Sequence, residues 1–336
     1  MNTSTKSFQR TLGRSGLKVS AMGLGCWAIG GPWTFNGMPA GWSDIDDAES
    51  LRAIRRALEL GVDFFDTAAN YGAGHSERIL GKAFKGRRDQ VIIATKFGYH
   101  VDEAAKEVSY YDDKEEESNV ASRLRASLEA SLKRLDTDYI DVYQLHVWGL
   151  VIERALEARD ILEDLVKEGK IRTYGWSTDR VDAVKAFSTS PNCGVVQQQL
   201  SVLDGNMELL ALCEELNLAS LNRGPLGMGL LTGKFTPTSS FASNDVRHHV
   251  QWHPGFKDGR PTQDWLDKLA SIRAVLTSNG RTLAQGALAW IWARSEKTIP
   301  IPGFKTVSQV EENAKAMELG PLTADQMKEI DTILGR

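Results

Sequence analysis

The chain has 336 residues, 42% hydrophobic and 25% charged, with a formal net charge of −4. These are the proportions of a soluble globular protein with enough apolar residue for a large core. Lysines and arginines are scattered, without the basic block that marks nucleic-acid binding, and no apolar run is long enough to span a membrane.

The three cysteines, Cys26, Cys193 and Cys213, are odd in number and form no CxxC pair, which reads as reduced thiols in a cytoplasmic protein. The polar start Met1–Ser7 lacks the apolar segment of a secretory signal.

Phe8 to Val19 places Gly13 and Ser15-Gly16 between short alternating runs and predicts a β-hairpin. A strand follows at Ala21–Gly25. The segment Gly23 to Ala28 matches G-x-G-x-x-A, but Gly30-Gly31-Pro32-Trp33 breaks the helix that a dinucleotide fingerprint requires. From Asp46 strands and helices alternate. Asp46-Asp47 caps a helix through Leu51, Ile54, Leu58 and Leu60, which Gly61 ends. Val62 to Phe65 is a buried strand, and Ser76-Glu77 opens a helix through Ile79, Leu80 and Phe84. The next strand is Val91–Lys96. A periodic helix carries Leu124, Leu128, Leu132 and Leu135, a strand covers Ile140–His146, and a helix runs from Ala155 to Gly169. Later strands are expected at Ile171–Trp176, Gly194–Gln198, Ala219–Asn222 and Thr298–Ile301, and a helix capped by Thr323 closes the chain.

About eight strand–helix units imply a parallel sheet closed into a single (β/α)₈ TIM barrel with an N-terminal β-hairpin, and no linker divides residues 1–336 into two domains. Three loops are long: 28–45, 97–118 and 232–264. At the carboxyl face of a barrel such loops shape a substrate pocket. The acid run Asp112-Asp113-Lys114-Glu115-Glu116-Glu117 reads as a solvated loop and helix start.

Three consecutive strands end in chemistry: Asp66, Lys96 and His146, with Tyr71 in the loop after the first. Taken alone, Asp66 reads equally as a functional carboxylate or as a tie to its loop. A lysine at the end of an apolar strand needs an anionic partner or solvent. Tyr beside Lys beside Asp makes a proton-donating assembly: the cation favours the phenolate and lowers the tyrosine pKa, and the aspartate holds the cation.

The ordered motifs FDTAxxYG (65–72), TK (95–96), YQLH (143–146), RTYGWST (172–178), GPLGMGLLTGK (224–234) and IPGFKTVSQVEEN (301–313) resemble the aldo-keto reductases, from about residue 8 to the C-terminus. The resemblance implies an NADP-dependent oxidoreductase that interconverts a carbonyl (aldehyde, ketone or sugar) and an alcohol by hydride transfer. Tyr71 is then the general acid, Lys96 the stabiliser of its phenolate, Asp66 the partner of Lys96, and His146 the group that orients the carbonyl. The hairpin would cover the bottom of the barrel. Gly25, Cys26 and Trp27 would lie near the nicotinamide, and Ser177, Thr178 and Gln197 near its carboxamide, although most members carry Asn where this chain has Thr178. The turn with Pro225, Leu226, Gly227, Gly229, Leu231, Gly233 and Lys234 would bring backbone N–H groups to the pyrophosphate. Gly303, Lys305, Gln309, Glu312 and Asn313 would hold the adenosine end, with Lys305 favouring a 2′-phosphate and hence NADP(H) over NAD(H). The family usually stacks an aromatic residue on the nicotinamide where this chain has Arg223. A planar guanidinium can stack there, and it adds charge beside the ring.

His249 and His253 stand four apart with His248 beside them, but Pro254-Gly255 follows and no glutamate intervenes, so a loop is expected and no metal. Trp33 and Trp148 in the long loops are candidate substrate contacts, since aromatic walls suit sugar rings and other flat ligands. The expected partner is thus a small carbonyl or alcohol substrate, with no nucleic acid and no membrane, and the oligomeric state stays open. The alternative is a binding module: the same barrel serves as a redox-sensing regulatory subunit of potassium channels, and such subunits can retain all four catalytic residues.

Overall fold

The computed structural model describes residues 8–111 and 120–336. The acid run at 112–117 lies outside the described residues. Eight parallel strands form the central sheet: β1 Leu24–Gly25, β2 Phe64–Asp66, β3 Ile92–Phe97, β4 Ile140–Leu145, β5 Ile171–Ser177, β6 Cys193–Ser201, β7 Ala219–Arg223 and β8 Thr298–Pro300. They lie side by side in chain order. The first and last edges meet, with Gly23 N donating to Pro300 O at 3.0 Å and Gly25 N to Pro302 O at 2.9 Å. Closure leaves no sheet edge, and the TIM barrel expected from the alternation is the fold observed.

Helices wrap the outside: α1 Asp47–Glu59, α2 His75–Phe84, α3 Val120–Leu135, α4 Ile152–Lys167, α5 Val181–Phe187, α6 Met207–Glu215, α7 Gln263–Leu276, α8 Leu283–Arg294, α9 Val307–Leu319 and α10 Ala324–Leu334. Their starts follow the cap chemistry. Asp46 accepts from Ala48 N at 2.8 Å, and Thr323 and Gln326 form a reciprocal capping box. α8 buries every residue from Leu283 to Trp292. It packs against α7 and α9 as well as the sheet, so it lacks the polar stripe of the surface helices.

Strands covered on both faces read as continuous apolar runs because each face has its own core. Phe64, Ala94, Val142, Val195, Ala219, Leu221 and Ile299 fill the barrel interior, together with Leu12 and Val19 of the hairpin. That hairpin pairs Gln9–Thr11 with Lys18–Ser20 and closes the bottom of the barrel. Arg14 donates to Leu216 O at 2.7 Å and Ser188 O at 2.8 Å, fixing the hairpin under β6 and β7. The first barrel strand is shorter than the expected Ala21–Gly25, because Ala21 N is spent on Phe8 O in the hairpin.

At the carboxyl end the first two long loops are partly sheet. Thr34–Phe35, Met38–Pro39, His100–Asp102 and Glu107–Ser109 form a small four-stranded sheet that ties the loop after β1 to the loop after β3. These strands are two or three residues long and form two local hairpins, and the hairpins join only where Thr34–Phe35 pairs with Glu107–Ser109, some 70 residues away, so no local pattern marks the sheet. The loop after β7 contains a short helix, Val246–His249, and a hairpin of Phe256–Lys257 with Arg260–Pro261. It reaches the loop after β1 through Val246 N to Gly41 O at 2.9 Å. Among the described residues no helix is long and apolar enough to cross a membrane.

Candidate active site

The parallel register pairs Asp66 with Ala94 and Lys96 with Gln144, so Asp66, Lys96 and His146 step two positions further along from each strand to the next at the carboxyl end of the barrel. Lys96 Nζ donates to Asp66 Oδ1 at 2.6 Å, to Thr67 O at 2.7 Å and to Tyr71 OH at 3.3 Å. Its three protons therefore have three acceptors, as an ammonium 0% exposed needs. Asp66 Oδ2 accepts from Gln197 Nε2 at 2.8 Å and from Gln144 Nε2 at 3.2 Å. Because Lys96 fills a lone pair on Tyr71 OH, the phenolic proton is left for an acceptor in the cleft. Trp27 stacks on the Tyr71 ring at 6.0 Å and 24°, with its Nε1 anchored to Ala40 O at 3.1 Å.

Two glycines set the loop that carries the tyrosine. A Cβ on Gly72 (φ +64°) would stand 2.1 Å from Gly30 O, and a Cβ on Gly30 would stand 2.8 Å from Gly72 N. Only backbone this bare allows the β1 and β2 loops to touch.

Electrostatics at the site depart in part from the sequence expectation. Burial pushes the Tyr71 phenol above its ordinary value. Lys96 and Arg223 pull it down and Asp66 pushes it up, and the net direction is upward. The lysine thus limits the rise rather than lowering the tyrosine outright, since burial desolvates the phenol and Asp66 offsets the lysine's charge. For Lys96, burial opposes the ammonium, but Asp66 and Tyr71 outweigh it and the net shift is upward. His146 is held well below its usual value by burial, with Lys96 and Arg223 adding to the effect, so it is neutral at pH 7. Its Nδ1 lies 3.2 Å from Asn70 Oδ1. The Asn70 amide therefore sets the tautomer: its oxygen there leaves the opposite ring nitrogen an acceptor, and its NH₂ there makes that nitrogen a donor.

Tyr71 and His146 line a cleft of about 1280 Å³ that runs along the carboxyl face. Gly25, Trp27, Ser177, Gln197, Arg223, Pro225, Leu226, Gly229, Lys234, Gly303, Lys305, Gln309, Glu312 and Asn313 line it too, as do Trp33 and Trp148. Five other residues expected at the cofactor lie behind this wall. Cys26 and Leu231 are in the outer core, with the Cys26 backbone nitrogen donating to Asp66 O. Thr178 is fully buried and caps Arg180 N at 3.3 Å. Gly227 packs under Trp265, and Gly233 lies against Leu283.

The end of the cleft far from Tyr71 is cationic. Lys234 and Lys305 line it with Arg247, which the sequence did not single out. Burial lowers both lysines, and Arg247 lowers them further. Crowded, partly desolvated cations make this end a candidate anion site. Lys305 Nζ donates to Ser43 O at 2.6 Å, and Arg247 pairs with Asp245 at 2.8 Å over the Trp42 ring. Between the two ends, Gly224, Gly227, Met228, Gly229 and Gly233 all have positive φ. An acid–base pair, a bare-backbone turn and a cationic end along one cleft fit an extended pyridine dinucleotide.

Gln144 and Asn70 hold Asp66 and His146, and neither was singled out from the sequence. Gln144 was legible in principle, two residues before His146 on the same face of β4. Nothing local marks Arg247. The three histidines do not converge: His249 Nε2 lies 2.5 Å from Ser243 O, His248 Nδ1 lies 3.1 Å from Phe241 O, and His253 is buried against Trp265 and Phe256. Among the described residues no three His, Cys, Asp or Glu side chains could hold a metal.

The chain is similar to known proteins over nearly its whole length. Residues 21–334 match the aldo/keto reductase family. The chain is 33% identical over 326 residues to the aldo-keto reductase YhdN of Bacillus subtilis, covering 95% of this chain and 91% of that protein. It is 31% identical over 334 residues to the NADH-specific methylglyoxal reductase of Escherichia coli, covering 97% and 98%. The solved glycerol dehydrogenase AKR11B4 of Gluconobacter oxydans superposes with a TM-score of 0.81 at 29% identity, covering 99% of this chain and 96% of that one. The chain belongs to the aldo/keto reductase family of oxidoreductases.

Proposed function

We propose that the protein reduces an aldehyde or ketone at the expense of a reduced nicotinamide, or runs the reverse oxidation, with Tyr71 as proton donor. The observation that carries this reading is the chain Asp66–Lys96–Tyr71, with the phenol held 3.3 Å from Lys96 Nζ at the wall of the cleft. When bound, the dinucleotide supplies the hydride. Negative charge then develops on the carbonyl oxygen, and a preorganised O–H at that point lowers the barrier. Lys96 steadies the phenolate left behind, Asp66 with its glutamine donors keeps Lys96 in place, and His146, lining the same cleft, orients the carbonyl. The four catalytic residues and the cofactor contacts named above are part of this proposal.

We further propose a preference for NADP(H) over NAD(H), supported by the crowding of Lys234, Arg247 and Lys305 at the far end. The E. coli relative is named NADH-specific, so the preference needs its own test. The substrate is proposed to be a small carbonyl or alcohol with a flat or amphipathic body, a sugar among them. Trp33, Phe35, Tyr99, Tyr110 and Trp148 support this, since they make one side of the cleft aromatic.

The test follows absorbance of the reduced nicotinamide with a panel of aldehydes, ketones and sugars. Substrate-dependent loss of NADPH that falls by about 10³-fold or more in Tyr71→Phe is expected, given the size of general-acid effects. An unchanged rate in that variant would remove Tyr71 from the chemistry. A KM ratio that favours NADH, unmoved by Lys305→Ala, would overturn the cofactor preference.

A further inference from the structure

Arg223 ends β7 and lines the cleft, yet it is a fixed cation rather than a free one. Its Nη1 donates to Gln199 Oε1 at 3.1 Å and its Nη2 to the carboxylate of Asp179. Asp179 in turn accepts from Gln199 N at 2.7 Å. Residues near the carboxyl ends of β5, β6 and β7 thus set the plane of the guanidinium. Its charge reaches the reacting end of the cleft, where it lowers both Tyr71 and His146.

We propose, on the functional reading above, that the Arg223–Asp179 pair discriminates between the oxidation states of the bound nicotinamide, weakening the oxidised form and hastening its release after carbonyl reduction. The ring is neutral when reduced. Transfer of hydride from its C4 to the carbonyl carbon, with the proton going from Tyr71 to the carbonyl oxygen, leaves the ring a cation. A planar guanidinium tolerates the neutral ring as a stacking partner and repels the cationic one. An aromatic side chain at this position would do the opposite, since its π-face attracts positive charge. Asp179 neutralises part of the guanidinium charge, so the oxidised form still binds. The two residues therefore act on the ring with opposite sign.

Titration of the intrinsic tryptophan fluorescence with NADPH and NADP⁺ tests this, because Trp27 and Trp42 line the cleft. If the unphosphorylated pair binds tighter, NADH and NAD⁺ serve instead. Arg223→Gln is expected to improve binding of the oxidised form relative to the reduced form by about fivefold, the scale of one unit-charge contact across about 4 Å of water-like dielectric. Asp179→Asn, which keeps an acceptor for Gln199 N, is expected to shift the same ratio the other way by several-fold. Arg223→Lys keeps the charge and should leave the ratio near that of the native chain. A ratio that is unmoved, or that moves in one direction in both the Gln and Asn variants, would make Arg223 a packing residue only and overturn the proposal. Failure of the native chain to bind either form would instead sink the functional reading on which it rests.

Discussion

At the residue scale the site turns on one buried lysine. Lys96 is wholly enclosed, and its partner Asp66 is 2% exposed. Removing one member of a buried ion pair leaves the other uncompensated, which costs about 3–5 kcal/mol. Lys96→Met should therefore lose both activity and that much stability. Tyr71→Phe should lose activity at a smaller stability cost of about 1–3 kcal/mol, since it removes one of three acceptors of Lys96 and leaves the ion pair intact. Urea midpoints of the two variants check this, and equal destabilisation would argue against the pairing described. The pH dependence follows from the phenol. A raised pKa keeps the proton on Tyr71, so the donor form persists through neutral pH. Carbonyl reduction is expected to stay flat to about pH 9 and fall as the phenol ionises, past the ordinary value of ~10. Alcohol oxidation needs the phenolate and should rise over the same range. A pH–rate profile in each direction measures both limbs.

At the scale of elements, the catalytic loop is held by backbone contact more than by side chains. Gly72 and Gly30 meet where any Cβ would intrude. Gly72→Ala adds both a clash and a strained positive φ, so it should displace Tyr71 while the barrel remains folded. We expect kcat to fall by about 10²-fold, the usual scale for a misplacement of about 1 Å, with little change in the circular dichroism spectrum. Retention of full kcat would show that the loop relaxes without moving the phenol. The motif FDTAxxYG was legible as a unit, but its reason for ending in glycine was not. The opposing Gly30 is 42 residues away and became a neighbour only through barrel closure. The same holds for the roof. Thr34–Phe35 and Glu107–Ser109 carry no strand signal of their own and pair because β1 and β3 set their loops side by side.

For the whole molecule, the buried histidines make acid stability a test of the packing. Burial holds His253 at about 4 and His146 well below its ordinary value. Both are depressed below an unfolded value of ~6.5. Their contribution is present above pH ~6.5 and is lost as the pH falls toward the folded values, because the unfolded chain binds the proton first. Between pH 7 and pH 5, His253 alone should cost about 2 kcal/mol. His253→Gln should lose about that much less over the interval, measured as the difference in urea-unfolding free energy. Equal losses in the two proteins would mean that His253 is solvated.

The sequence by itself determined the alternation of strands and helices and the helix caps at Asp46 and Thr323. It also determined which strands end in Asp66, Lys96 and His146. These are local facts, since period, capping and strand termini are set by neighbours within a few residues. Tertiary structure decided the partners: Gln144 and Gln197 on Asp66, Asn70 on His146, Asp179 and Gln199 on Arg223, and Arg247 beside Lys234 and Lys305. It also placed Cys26, Thr178, Gly227, Leu231 and Gly233 behind the cleft wall rather than on it. Closure of the barrel makes neighbours of residues up to 131 positions apart within one carboxylate's hydrogen bonds. Burial there and the charged partners it brings together, not sequence spacing, fix the sign of each pKa shift.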